Sequence, residues 1–444
     1  MGTQHQAHRH RRSAGALVTE KRNVLVLPGG TEIGLEVRNA LANRKEVALF
    51  SAGAGGSSHA PFAFRVHDVV PDVSDPAWFD ELLRVVRLRS IDYIFAAHED
   101  VLLEVARRRD ELPAVLVASP TETLEIARSK RLTYEALGDV VRVPRVLDPS
   151  DRTLAFPVFV KPDRGAGSRA ANPITTAAQL QAALETDEEM LVLEYLPGDE
   201  LTVDCLSDRE RGLVFCGPRF RARIRAGISM DSYPVDAPEV VEMAEAIASR
   251  LELWGAWFFQ VRQAVDGEWC VLEVGARVGG TMTVSRARGA NLPWLSILEW
   301  ERAPFEVLLN DVSVRTDRAL VNRYQTDLEY GTVFVDLDDT LVVDGRVNVD
   351  VVRFLYQARN QGKRIVVITR HAGNPEETLR GLRLAELADK VVRLDRQASK
   401  VDAIDVVDGI LIDDSFGERK AVASALGIPT FDANMIEVLI DDRV

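Results

Sequence analysis

Lys161 closes a short apolar run, Val158-Phe159-Val160, and is followed by Pro162 and a loop carrying Gly165, Gly167 and Ser168. In this stretch, FPVFVKPDRGAGSRA over residues 156–170, the glycines let backbone N–H groups turn inward together. That makes a concave donor surface suited to phosphate oxygens, with the Lys161 ammonium at its mouth. The spacing fits neither GxxxxGK[ST] nor GxGxxG, and an ordinary β-turn has the same ingredients. A second constellation lies near the other end of the chain. Asp336-Leu337-Asp338-Asp339-Thr340 ends the apolar run 332–335, an arrangement that holds Mg²⁺ at the carboxyl edge of a parallel sheet. Thr369 closes a further apolar run, Lys400 opens a helix-like KVDAIDVV, and Asp413-Asp414 close GILI. Three strand ends carrying polar groups in one consistent order argue against chance acidic turns.

Between these stretches lie further candidates. LVLEYLPGDELTVDCL (191–206) reads as a strand, a break at Pro197-Gly198 and another strand. An open edge at Glu194-Tyr195-Leu196 offers backbone donors and acceptors to a flat purine, and Glu200 is placed to hold a ribose diol. Arginines at 219, 221, 223 and 225 alternate, so a strand puts all four on one face, toward solvent or toward an anionic ligand. Residues 255–280 read as a hairpin turning at Asp266-Gly267. Gln260 and Glu273 then sit close enough to share an ion, with Arg277 on the following loop.

The elements that position these residues follow from the apolar patterning. Strand VLVL (24–27), helix IGLEVRNAL (33–41), a second strand at 46–52 and the run from 92 to 120 form a βαβαβ series, a doubly wound parallel half-domain. Glu125 to Leu137 reads as one helix with Lys130 on its polar side. Residues 310–330 are polar and read as a connection. At 444 residues the chain is too long for one core, and roughly two to four domains are expected. The net charge of −14 argues against nonspecific nucleic-acid binding. No apolar run approaches the ~18 residues of a membrane span. Cys205, Cys216 and Cys270 have no metal spacing, so reduced thiols in a cytoplasmic protein are expected. Of 54 basic residues eight are lysines, and Lys130, Lys161 and Lys400 fall where phosphate chemistry wants a compact ammonium.

Lys130, FVKPDRGAGS, LEYLPGDE, Gln260 and LEVGARVGG, in this order, resemble the ATP-grasp superfamily over residues 22–325. The branch is that of the carbamoyl phosphate synthetase large subunit and related carboxylate–amine ligases. The resemblance implies ATP and Mg²⁺, with Mn²⁺ as an alternative ion. Lys130, Lys161 and the Gly165–Gly167–Ser168 loop would hold phosphates, Glu194, Tyr195 and Leu196 adenine, and Glu200 ribose. Gln260 and Glu273 would ligate the metal, and Arg277 would steady the transferred phosphoryl group. Where the family has Glu-x-Asn this chain has Glu273-Val274-Gly275, one ligand fewer. Residues 331–444 resemble the Asp-x-Asp-x-Thr phosphatases of the haloacid dehalogenase superfamily. Asp336 would be the nucleophile, Asp338 the general acid/base, and Thr369 and Lys400 the phosphoryl-stabilising pair. Asp336, Asp338, Asp413 and Asp414 would hold Mg²⁺, and the short gaps between motifs leave no room for a cap domain.

The expected α/β architecture is thus a tail (1–21), a Rossmann-like pre-ATP-grasp domain (22–122), an ATP-grasp α+β domain (123–325) and a capless haloacid dehalogenase-like Rossmannoid domain (331–444). The expected activity is carboxylate–amine or carboxylate–thiol ligation through an acyl phosphate, fused to a phosphohydrolase. Its partners would be small carboxylates, amines and a phosphorylated substrate, with a homodimer as an option and no nucleic acid or membrane. The alternative is a phosphatase whose ATP-grasp half is a regulatory nucleotide-binding module.

Overall fold

Arg22–Leu27 runs through the centre of a five-stranded parallel sheet ordered His67–Val70, Val47–Ala54, Arg22–Leu27, Tyr93–Ala96, Val115–Leu116. Its apolar run is buried on both faces: Leu25 and Leu27 pack into one core, Val24 and Val26 into another. That is the burial of a strand with helices on both sides, and it explains why the run does not alternate with polar residues. The computed structural model describes residues 21–443 except 57, 166–170 and 186–188. The anticipated tail up to residue 20 and the Gly167–Ser168 part of the loop lie outside the described residues. Beyond the anticipated βαβαβ series the described residues add a strand, His67–Val70, and two helices, Ala60–Ala63 and Trp78–Leu88.

A six-stranded antiparallel sheet shares both cores. Its order is Trp269–Gly275, Gly255–Gln263, Glu200–Asp208, Gly212–Arg225, Ile228–Pro234, Thr316–Asp317. A separate three-stranded sheet, Asn172–Ile174, Val158–Pro162, Met190–Glu194, has its own small core of Val158, Val160, Ile174, Leu180 and Val192. These elements belong to a compact unit ending at Ala319, and Leu320–Arg443 form a second unit.

The segment read as one helix is two, Thr121–Arg128 and Lys130–Leu137. Ser129 interrupts them. Its Oγ accepts from Leu132 N at 3.1 Å and donates to the Asp163 carboxylate at 2.8 Å, so a side-chain cap starts the second helix where an unbroken helix would run through. Lys130 is therefore the first residue of a helix, and it is buried. The alternating arginines are also not one uniform face. The Gly212–Arg225 strand is irregular between Arg221, Arg223 and Ile224, and such bulges break the two-residue period.

In the second unit a parallel sheet runs Lys390–Arg393, Arg364–Thr369, Thr332–Val335, Gly409–Ile412, Thr430–Phe431. Val333 and Val335 face one core and Phe334 the other. A hairpin and the helix Val349–Asn360 connect the central strand to Arg364–Thr369. The helix Pro375–Gly381 and the strand Lys390–Arg393 fill the next gap.

Candidate functional site

A cleft of about 480 Å³ opens within the first unit, lined from the small sheet by Lys161 and Glu194 and from the larger one by Glu200, Arg221, Gln260 and Glu273. At one end Asp163, two residues beyond Lys161, organises the helix start. Its carboxylate accepts from Ser129 Oγ and from Arg131 N at 2.8 Å, satisfying N-terminal donors and placing a negative charge at the positive end of the helix. This fixes Lys130, whose Nζ reaches the carbonyls of Asp163 (3.2 Å) and Gly165 (3.4 Å). Lys161 Nζ donates to Leu272 O at 3.0 Å, a carbonyl that Tyr134 Oη also reaches at 2.9 Å. Burial lowers the Lys161 ammonium from its ordinary 10.5 to about 8, against the opposing pull of Glu273. Gly165, Glu194 and Leu196 line the same cleft, whereas Tyr195 does not.

Gln260 and Glu273 stand opposite each other across paired strands, as their spacing implies. Gln260 Oε1 accepts from Arg221 Nη1 at 2.8 Å, and the same guanidinium pairs with Glu200 and donates to Gly227 O at 2.6 Å. Arg262 lies 3.7 Å from Glu200. Arg219 is buried against Asp204 at 3.1 Å, and Arg223 pairs with Asp317 on the surface. Three of the four alternating arginines thus have carboxylate partners, which corrects the picture of like charges awaiting an anion. Glu194, proposed at the purine edge, holds Arg145 through Nε at 3.1 Å and through its backbone N at 3.0 Å.

Arg277 lines the cleft but is bound to Glu99 at the start of the helix Glu99–Arg107. Burial alone would push the Glu99 carboxyl up, yet the adjoining guanidinium outweighs it and holds the group at about 2. Gly275 explains the missing ligand of Glu273-Val274-Gly275. A Cβ there would lie 2.3 Å from the Phe258 ring, so this aromatic from the neighbouring strand occupies the room a larger residue would need.

In the second unit Asp336 and Asp413 each lie one residue past adjacent parallel strands, and Thr369 ends a third. Lys400 bridges the first two, 2.8 Å from Asp336 and 2.5 Å from Asp413. Carboxylate oxygens of Asp336, Asp413 and Asp414 lie within 4.8 Å of one another, a donor set suited to a hard cation. Burial pushes Asp336 up to about 6, with Lys400 opposing and Asp413 reinforcing. The Asp338 carboxylate does not join this cluster, contrary to its expected place among the metal ligands. The strand has ended by then, and Asp338 is turned to His371 Nδ1 at 2.9 Å, whose Nε2 meets Thr378 Oγ1 at 3.0 Å. Thr340 Oγ1 accepts from Asp414 N at 2.9 Å, and Thr369 Oγ1 from His371 N at 3.0 Å.

Residues 186–317 match a family model described as ATP-grasp in the biosynthetic pathway with Ter operon. A D-alanine–D-alanine ligase of Geobacter sulfurreducens is 28% identical over 184 residues, spanning 38% of this chain and 58% of the ligase. The carbamoyl phosphate synthase large chain of Clostridium acetobutylicum is 26% identical over 162 residues, spanning 33% of this chain and 15% of that one. Both relatives are matched over less than two thirds of their own length. In fold the chain resembles the biotin carboxylase domain dimer of the Hydrogenobacter thermophilus 2-oxoglutarate carboxylase, solved with MgADP, ADP and bicarbonate. The TM-score is 0.54 at 13% identity, covering 65% of this chain and 72% of that one. The fold likeness and the family match together support the ATP-grasp superfamily, and the family match lies wholly within the first unit. No helix among the described residues is long and apolar enough to cross a membrane.

Proposed function

We propose that the first unit is an ADP-forming ligase that joins a small carboxylate to an amine, or to a thiol, through an acyl phosphate. One observation carries this reading: Lys130 and Lys161 are both buried, hydrogen-bonded among the described residues only to carbonyls, and open into the cleft that Glu273 lines. Making an amide from a carboxylate requires a better leaving group than oxide, and phosphorylation by ATP supplies it. The two ammonium groups would hold phosphate oxygens, with Gly165 beside Lys130. The backbone at Glu194 and Leu196, which line the cleft where Tyr195 does not, would receive adenine, and Glu200 would face the ribose. Gln260 and Glu273 would hold Mg²⁺ or Mn²⁺, which when bound offsets phosphate charge. Their one carboxylate and one amide suit a single ion, with phosphate oxygens and water completing its shell. Arg277, held by Glu99, would orient the acyl phosphate only through whatever part of its guanidinium that pair leaves open.

The second unit, in this reading, is a Mg²⁺-dependent phosphohydrolase of the haloacid dehalogenase type. Asp336 attacks phosphorus and forms an aspartyl phosphate, Asp338 protonates the leaving oxygen, and Thr369 and Lys400 hold the phosphoryl oxygens. Asp336, Asp413 and Asp414 would hold the ion, whose charge offsets repulsion between the nucleophile and a phosphate dianion. The ring of His371, in contact with Asp338, would hold that carboxylate in place. The protein would be cytoplasmic.

A second reading is favoured by Phe258 beside Gly275: a phosphohydrolase regulated by an ATP-binding but non-ligating unit. Incubating the full chain with ATP, Mg²⁺ and pooled carboxylates and amines separates the two. Substrate-dependent release of ADP and phosphate supports ligation. Nucleotide binding without turnover supports the regulatory reading, and stoichiometric AMP refutes the acyl phosphate.

A further inference from the structure

Six arginines line the cleft: Arg128, Arg219, Arg221, Arg262, Arg277 and Arg318. The first five have carboxylate partners in Asp100, Asp204, Glu200, Glu200 and Glu99. Arg318 alone of the six makes no side-chain hydrogen bond or ion pair among the described residues. It is held in place by its backbone, whose N–H donates to Met230 O at 2.7 Å immediately after the edge strand Thr316–Asp317. Burial lowers its guanidinium from the ordinary value, opposed by the charges of Glu36 and Glu32, so this cation is partly stripped of water without a direct partner.

What stands beside it is informative. A Cβ built on Gly280 would lie 3.1 Å from Glu32 Cγ, 3.6 Å from Ile33 Cγ1 and 3.7 Å from Arg318 Nη1, so the two charged side chains converge over this glycine. Glu32 opens the helix Glu32–Leu41, behind the Thr31 cap, and Thr31, Glu32, Gly280 and Arg318 all line the cleft. The two opposite charges do not form an ion pair with each other. Glu36, the nearest other carboxylate along that helix, is already engaged by Arg286 at 2.8 Å. An open pair of opposite charges flanking one point matches a ligand that carries both signs on neighbouring atoms. A simple phosphate or carboxylate would meet repulsion from Glu32, and a simple amine would meet it from Arg318.

We propose that Arg318 and Glu32, converging over Gly280, form a subsite for the zwitterionic end of an amino acid, its carboxylate on Arg318 and its ammonium on Glu32. This deepens, and rests on, the ligase reading of the first unit: one of the two substrates joined there is a free amino acid. Gly280 is then required because a side chain would fill the space the zwitterion enters.

Calorimetric titration of the full chain, first with MgADP and then in its presence with the standard L-amino acids and D-alanine, tests the assignment. Each amino acid is compared with its analogues lacking the amino or the carboxylate group. At least one amino acid should bind, and loss of either charged group should weaken it about tenfold or more, the size of one charge-assisted contact. Arg318→Met should abolish that binding while MgADP affinity stays unchanged, and Arg318→Lys should restore part of it. Glu32→Gln should erase the preference for the amino group and keep the preference for the carboxylate. If MgADP binds but every amino acid binds no better than its analogues, the subsite is refuted while the ligase reading stands. If MgADP itself does not bind, the reading beneath it falls and the proposal with it.

Discussion

Replacing Lys161 by Met should make the first unit more stable and its nucleotide affinity worse. The Lys161 ammonium sits at about 8 where its ordinary value is 10.5, so holding it charged at pH 7 costs on the order of 3 kcal/mol, at 1.36 kcal/mol per pH unit. Methionine fills a similar volume without the charge. It also forfeits a hydrogen bond to Leu272 O worth about 1 kcal/mol, but that carbonyl keeps its bond from Tyr134 and is not left unsatisfied. The net expectation is a gain of about 2 kcal/mol at pH 7. Between about 8 and 10.5 the unfolded chain still binds the lysine proton that the folded chain has released, so wild-type stability rises with pH across that window. The advantage of the variant should therefore shrink above pH 8 and be gone near pH 10.5.

Guanidinium unfolding followed by tryptophan fluorescence isolates the effect, because all six tryptophans lie before residue 320 and report the first unit alone. Calorimetry on the same samples should show ATP bound about tenfold or more weakly, through loss of a charge-assisted contact. A variant less stable than wild type at pH 7, or a gain that does not vary with pH, would refute the account of a charge buried for function. Unchanged ATP affinity would remove Lys161 from the phosphate end.

Four other outcomes are expected. Asp163→Ala should cost about 1–3 kcal/mol in the same unfolding assay, since it strips the Ser129 cap and the Arg131 N–H of their charged acceptor. The Glu99 carboxyl, held at about 2, stabilises the fold above its ordinary 4.5 and loses that contribution as pH falls toward 2; acid unfolding of Glu99→Gln should be less steep across that range. Gly275→Asn should cost about 1–3 kcal/mol by crowding Phe258, and the added Phe258→Leu change should recover most of it in denaturant melts. Asp336→Asn should abolish phosphomonoester hydrolysis at unchanged far-UV circular dichroism, and in the wild type a beryllofluoride adduct should appear by mass spectrometry or NMR at Asp336 alone.

What could be read from the sequence was whatever depends on short-range pattern. The strand before Lys161, the hairpin at Asp266-Gly267 and the strand ends before Asp336 and Asp413, and at Thr369, are all present in the fold. The break at Ser129 had a local signal, a serine before a helical run, but apolar periodicity continues through it and masked the cap. Asp163 carried none: its partners Ser129 and Arg131 are more than thirty residues away, and only folding brings them together. The same is true of Glu99 with Arg277 and of Phe258 with Gly275. The arginine face misled because alternation shows which side a residue takes, not what faces it. Glu200 and Asp204 lie on the neighbouring strand, Asp204 two residues along from the register partner of Arg219, and their carboxylates reach Arg221 and Arg219.

The pairing pattern also says where in the cleft a polyanion is drawn. Five of the six cleft arginines pair with four carboxylates, Arg221 and Arg262 sharing Glu200, so along most of its walls charge is largely offset and the field falls off quickly. Lys130 and Lys161 differ in kind, since their contacts are carbonyl oxygens, which orient an ammonium without cancelling its charge. Both are buried, where screening by water is weak, and they belong to elements tied together by Asp163. The positive charge at the small-sheet end is thus held by carbonyls and not by ion pairs among the described residues, with Glu273 and Glu200 acting on Lys161 from a distance. Arg318 with Glu32 leaves only a balanced pair near the Gly279-Gly280 loop. In the ligase reading a nucleotide entering this cleft would be sorted by that difference, its phosphates drawn to the lysines and the balanced end left for a ligand that carries no net charge.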